Sequence, residues 1–224
     1  MMVKTAKYEV YFVLAVLASS PIAASQAAMK GLEAQLANMN SYEADFVQST
    51  VAVGQPTYQA LGHIEFQKPN LIRWNQIEPE ETLMVADGEY LWQYEPDLEQ
   101  VIQQPQSVLK ETPFAILMTP YAQWKADYLI EYSYLPESCR SMECFSLTPK
   151  VEAPVRKIVL GFEQGILAEL HLWTALGDES HLVMAKQRLN GRLPPEEFRF
   201  IPPDSIDVIK LGDEQNKEYK IQKL

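Results

Sequence analysis

Cysteine, histidine and basic charge are all scarce in this chain, and each scarcity narrows what it can be. Only Cys139 and Cys144 occur in 224 residues. They stand close together in SCRSMEC, with no second pair and no suitably spaced histidine, so they do not read as a metal site. His63, His171 and His181 fall on separate predicted strands, and neither a catalytic nor a metal role is expected of them. The chain has no G-x-S-x-G, no H-E-x-x-H, no phosphate-binding loop and no dinucleotide fingerprint. The doublets Glu80-Glu81 and Glu196-Glu197 read as solvated turn ends rather than acid–base dyads. Lysine and arginine number 19 against 30 carboxylates, a net charge of −11 that suits neither nucleic-acid phosphates nor an anionic lipid surface. The expectation is a chain that is not an enzyme, binds no nucleic acid and carries no cofactor or metal.

Long apolar runs are also few. The clearest, Val10 to Ala18, follows Lys4 and Lys7 and precedes a stretch of small residues ending in Ser25-Gln26-Ala27. It is too short to span a bilayer as a mature helix, and the order of regions is that of a secretory signal. Residues 1–27 are expected to be removed after Ala27, leaving a single domain from 28 to 224 with a polar tail from about 212. In an exported chain, cysteines this close are expected to form a small-loop disulfide, Cys139–Cys144.

What the chain does have is alternation. Ala28–Asn40 carries Leu32, Leu36 and Met39 at helical spacing, and Ser41–Val53 then switches to period two. From Gly62 to Pro96, four apolar runs are separated by Lys68-Pro69-Asn70, Glu78-Pro79-Glu80 and Asp87-Gly88. Asp-Gly between apolar runs signals a tight hairpin, and proline marks turns rather than central strands, so this is an antiparallel meander. A strand is expected at Leu98–Gln103. Further strands follow at Asp127–Tyr134, Glu143–Thr148, Val155–Glu163, Ile166–Thr174, Glu179–Leu189, Glu196–Ile201 and Ser205–Leu211. Between the halves, Thr112-Pro113 starts a short helix whose body, Phe114 to Met118, has no polar face; Tyr121–Lys125 adds another turn. Phe46, Phe66, Trp74, Tyr90, Trp92 and Tyr94 come from neighbouring strands. At this level they are either a plain core or one wall of an apolar cavity.

KPNLIRW followed by ETLMVADGEYLWQYEP, then ETPFAIL, ECFSLTPK and FRFIPPDSIDV in that order, resembles the outer-membrane lipoprotein carrier (LolA) family. The resemblance runs from about Leu32 to Val208. It implies an α+β, mainly antiparallel fold: a curved, unclosed half-barrel of about 10–11 strands, with short helices as a lid over a hydrophobic cavity. It implies a monomeric periplasmic chaperone with no catalytic activity that binds lipoprotein acyl chains. Cargo would come from an inner-membrane ABC transporter and pass to an outer-membrane acceptor. A periplasmic lipid-binding or lipid-sensing module on the same scaffold is the alternative. The cavity and lid residues it implies are Leu36, Phe46, Phe66, Ile72, Trp74, Trp92, Phe114, Ile116 and Leu117. Where the family has an arginine latch before the proline of the first turn, this chain has Lys68, a point donor without the planar fork. Arg73 is a second candidate for that role.

Overall fold

The computed structural model describes residues 21–111, 121–134 and 138–212. The expected signal run, the Phe114–Met118 helix and the tail beyond 212 lie outside them. Among the described residues, twelve strands form one sheet. They are β1 Ser41–Val51, β2 Tyr58–Gln67, β3 Leu71–Glu78, β4 Thr82–Ala86, β5 Tyr90–Glu95 and β6 Gln100–Pro105. β7 Tyr128–Tyr132, β8 Glu143–Pro149, β9 Val155–Glu163, β10 Ile166–Thr174, β11 Glu179–Leu189 and β12 Val208–Lys210 complete it. The described helices include α1, Pro21–Ala37, and α2, Tyr121–Asp127.

The strand order is β12-β6-β5-β4-β3-β2-β1-β11-β10-β9-β8-β7. Every neighbouring pair is antiparallel except β12 with β6. The two end strands do not pair with each other, so the sheet stays open. Two meanders, β1–β6 and β7–β11, meet where β1 pairs with β11 from Tyr42↔Leu189 to Val51↔Glu179.

The turn chemistry explains the meanders. Asp87 and Gly88 close β4 onto β5, with Gly88 at φ +106°. The Asp87 carboxylate accepts from the backbone N–H of Glu89 and Tyr90 and from Trp92 Nε1 at 2.8–2.9 Å. Burial pushes this carboxyl up, but those donors outweigh it and hold it below the usual carboxylate range. Gln164 and Gly165 both have positive φ, the requirement of a two-residue hairpin loop between β9 and β10.

Four expectations shift. The strand count among the described residues is twelve rather than ten or eleven. Glu196–Ile201 is not a strand: Pro194-Pro195 fixes the backbone for a short 3₁₀ turn, Pro195–Phe198. A 3₁₀ turn at Pro96–Leu98 delays β6 to Gln100. The first helix ends at Ala37 rather than Asn40, because the chain must already be extended at Ser41 to pair with β2, and it starts at Pro21, inside the segment expected to be removed, rather than at Ala28.

Register sorts the side chains onto two faces. On the inner face, Phe46 and Met184 pair across β1 and β11, Ile64 and Trp74 across β2 and β3, Leu160 and Leu170 across β9 and β10. Tyr42, Phe66, Ile72, Ala86, Leu91, Phe145 and Leu147 continue that face, and all are buried. α1 lies on it, with Ala28, Leu32 and Leu36 in the same core. Gly31 lets the helix approach: an added Cβ would stand 3.0 Å from the Phe145 ring and the Tyr132 hydroxyl. The buried Tyr42 hydroxyl is satisfied by donating to the Leu167 carbonyl at 2.7 Å.

Gly62 is a point of close approach on the inner face. The Phe46 ring lies in the space a side chain would fill and stacks on Trp74 at 3.8 Å. A Cβ there would meet Asn75 O at 2.1 Å and the Phe46 ring at 2.7 Å. Gly62→Ala is expected to destabilise the domain by about 1–3 kcal/mol, as overpacking does. The midpoint of urea unfolding checks this; an unchanged midpoint means the ring and strand yield freely.

Candidate apolar cavity and its cover

Residues placed by period two on the inner face do not fill it completely. A cavity of about 200 Å³ remains, lined by Gln48, Trp74, Met84, Leu170, Leu172 and Leu182 among others. It lies where β1, β3 and β4 of one meander face β10 and β11 of the other. Its walls are apolar except for Gln48 and Gln76 and the Ser180 hydroxyl, which pairs with the Thr50 hydroxyl at 2.9 Å. A larger hollow of about 580 Å³ sits between the 148–153 loop and Ala175, but Lys150, Glu152 and Arg156 line it, which does not suit an apolar ligand.

Phe46, Phe66, Ile72 and Trp74 lie together on the inner face, and Leu36 reaches the same core from α1. Trp74 touches the cavity directly. Trp92 does not join them. It pairs with Val85 and Gln103 on the outer face, where Phe200 packs on it at 5.6 Å and on Tyr94 at 5.7 Å. The aromatic set from the meander is therefore split by the sheet. One part builds the inner face, and the other anchors the segment 195–210 against the back. Phe114, Ile116 and Leu117 lie outside the described residues.

Lys68 sits in the β2–β3 turn, where its backbone N–H donates to Asn40 O. Its ammonium donates to the Leu36 carbonyl at 2.8 Å. That carbonyl belongs to the last turn of α1, where carbonyls lack helical partners and a cation also meets the negative end of the helix dipole. Burial lowers the Lys68 pKa from the ordinary lysine value. Arg73 is on the outer face and donates to the Glu197 carbonyl at 3.1 Å, so it holds the C-terminal segment rather than α1. In the retained part of α1, Gln35 donates to the Glu143 carboxylate on β8; ahead of it, within the segment expected to be removed, the Ser25 hydroxyl donates to Ile130 O at 3.0 Å on β7. The helix thus bridges the two meanders over the inner face. Cys139 and Cys144 are bonded at the start of β8, away from the cavity.

Leu170, Leu172 and Leu182 were not anticipated as cavity residues. Their period-two spacing on β10 and β11 was visible, but only the β1–β11 register brings them opposite Trp74.

Known proteins share this sequence pattern and architecture. The family model described as "Outer membrane lipoprotein carrier protein LolA" matches residues 37–201. The chain is similar to the outer-membrane lipoprotein carrier protein of Chromobacterium violaceum, 31% identical over 203 residues, covering 89% of this chain and 95% of that one. It is also similar to the protein of that name from Pseudoalteromonas translucida, 34% identical over 197 residues, covering 84% and 88%. An uncharacterized conserved protein from Thermus thermophilus, a solved structure, shares the fold at a TM-score of 0.50 and 12% identity, covering 84% of this chain and 99% of that one.

Removing the Lys68 donor is expected to loosen the last turn of α1. In Lys68→Met, amide hydrogen exchange of that turn should quicken about fivefold, the effect of one hydrogen bond of ~1 kcal/mol, while β1 and β2 stay protected. Lys68→Arg should retain protection. Equal exchange in all three proteins would make Lys68 a turn residue only.

Proposed function

The chain belongs to the outer-membrane lipoprotein carrier family, and on that premise we propose that it carries lipoprotein acyl chains across the periplasm on the inner face of its sheet. Carriers of this family are not enzymes. In this reading residues 1–27 direct export and are removed after Ala27, and the mature domain begins at Ala28. Lipoproteins released by an inner-membrane ABC transporter are received as cargo and handed to an acceptor lipoprotein at the outer membrane.

The observation that carries the proposal is an apolar face, continuous over both meanders, that is only partly filled and is crossed by a helix held at its last turn by a lysine. Among the described residues the open space over this face is about 200 Å³, below the 300–1,000 Å³ of ordinary ligand pockets. In this reading the cover moves aside to admit acyl chains. Leu36 and the Phe114–Leu117 segment are proposed as that cover, with Phe46, Phe66, Ile72 and Trp74 as wall and Trp92 as support from behind. Each buried methylene contributes about 0.8 kcal/mol. A carrier that buried whole chains would release them very slowly. Cargo held partly, under a cover near balance between open and closed, can still be passed to a more apolar acceptor.

A fluorescent long-chain acyl probe tests this. It is expected to bind saturably to the wild-type protein. Met84→Trp, which places bulk at the cavity rim, should weaken binding at least tenfold while the melting temperature stays within a few degrees. Unchanged probe affinity in a folded Met84→Trp protein would place the ligand elsewhere.

A further inference from the structure

On the outer face, behind the cavity, three side chains converge that the carrier reading does not use. His171 of β10 stands directly opposite His181 of β11 in the sheet register. Glu169 lies two residues before His171, on the same face. Both imidazole Nε2 atoms are 3.1 Å from Glu169 Oε2, and all three of these atoms lie within 4.8 Å of one another. We propose that Glu169, His171 and His181 form a binding site for a divalent cation of the zinc class.

The donor set selects the ion. Two imidazole nitrogens and one carboxylate oxygen suit zinc and its late first-row neighbours, whereas calcium and magnesium require oxygen ligands throughout. A tetrahedral ion with bonds of about 2.0–2.1 Å holds its ligands about 3.3 Å apart, close to the 3.1 Å that separates each imidazole nitrogen from the carboxylate oxygen. Three protein ligands leave one position for water. The Ser138 hydroxyl, 3.3 Å from His171 Nε2, is placed to hydrogen-bond such a water. A hollow of about 270 Å³, bordered by Ser138, Met142, Glu163, Glu169 and Gln187, brings solvent to the carboxylate. The imidazole rings stack at 3.8 Å and must splay for both lone pairs to reach one ion. His181, a third exposed, has room to turn.

A second group, Glu43, His63 and Glu65, is a poorer candidate. Arg188 already forms a forked pair with the Glu43 carboxylate, and Asp45 takes His63 Nδ1 at 2.8 Å. An ion there would compete with both.

Calorimetric titration of tag-free, chelator-stripped protein with Zn²⁺ tests the site. One equivalent is expected to bind, at least tenfold more weakly in His181→Gln and in Glu169→Gln and unchanged in His63→Gln. Circular dichroism of each metal-free variant verifies its fold. As a readout needing no variant, Zn²⁺ should protect His181 of the wild type from carbethoxylation by diethyl pyrocarbonate. Absence of one-to-one uptake, uptake lost only in His63→Gln, or no protection of His181 would each overturn the proposal.

Discussion

An open sheet with one apolar face cannot stand alone in water, and the rest of this molecule follows from that constraint. Closing the strands into a barrel would hide the inner face, but β12 and β7 end the sheet on different edges and do not meet. The face must therefore be covered by something that is not a strand. Among the described residues that cover is chiefly α1, whose Ala28, Leu32 and Leu36 enter the same core as Phe46, Trp74 and Phe145. A cover of this kind gives burial without the obligatory hydrogen-bond ladder that would make it permanent. From Ala28 onward its polar attachments run through single side chains, among them Lys68 at its last turn and Gln35 donating to Glu143.

The outer face solves a different problem. Between β3 and β6 it carries Val85, Trp92, Tyr94 and Val101, and the segment 195–210 closes over it through Phe198 and Phe200. Pairing of β12 with β6 and the Arg73 hydrogen bond to Glu197 fix that segment in place. The back of the sheet is therefore braced while the front is lightly covered. That asymmetry fits a wall that keeps its shape while the space before it empties and fills.

Much of this was legible in the residues. Period-two alternation marked most strands, and Asp87-Gly88 and Gln164-Gly165 placed two hairpins because left-handed backbone is required there. Pro195 misled: it precedes an apolar pattern that suits a strand, but its fixed φ and missing N–H favour a 3₁₀ turn. The faces were harder. Trp74 and Trp92 look alike among the strand aromatics, and only register puts one beside the cavity and the other behind it. The same holds for His171 and His181. They sit symmetrically about Leu176, so the Gly177 turn would have paired them, but only with the hairpin register known.

The central claim is that the inner face holds acyl chains of a protein cargo. Native mass spectrometry of the protein purified from the periplasm without detergent tests it most directly. The account predicts a one-to-one complex that releases a triacylated lipoprotein on activation, and loses it in Met84→Trp. Recovery of free lipid alone would favour a lipid-binding or lipid-sensing module on the same scaffold. Recovery of the bare chain, with no acylated species under any condition, would contradict the claim.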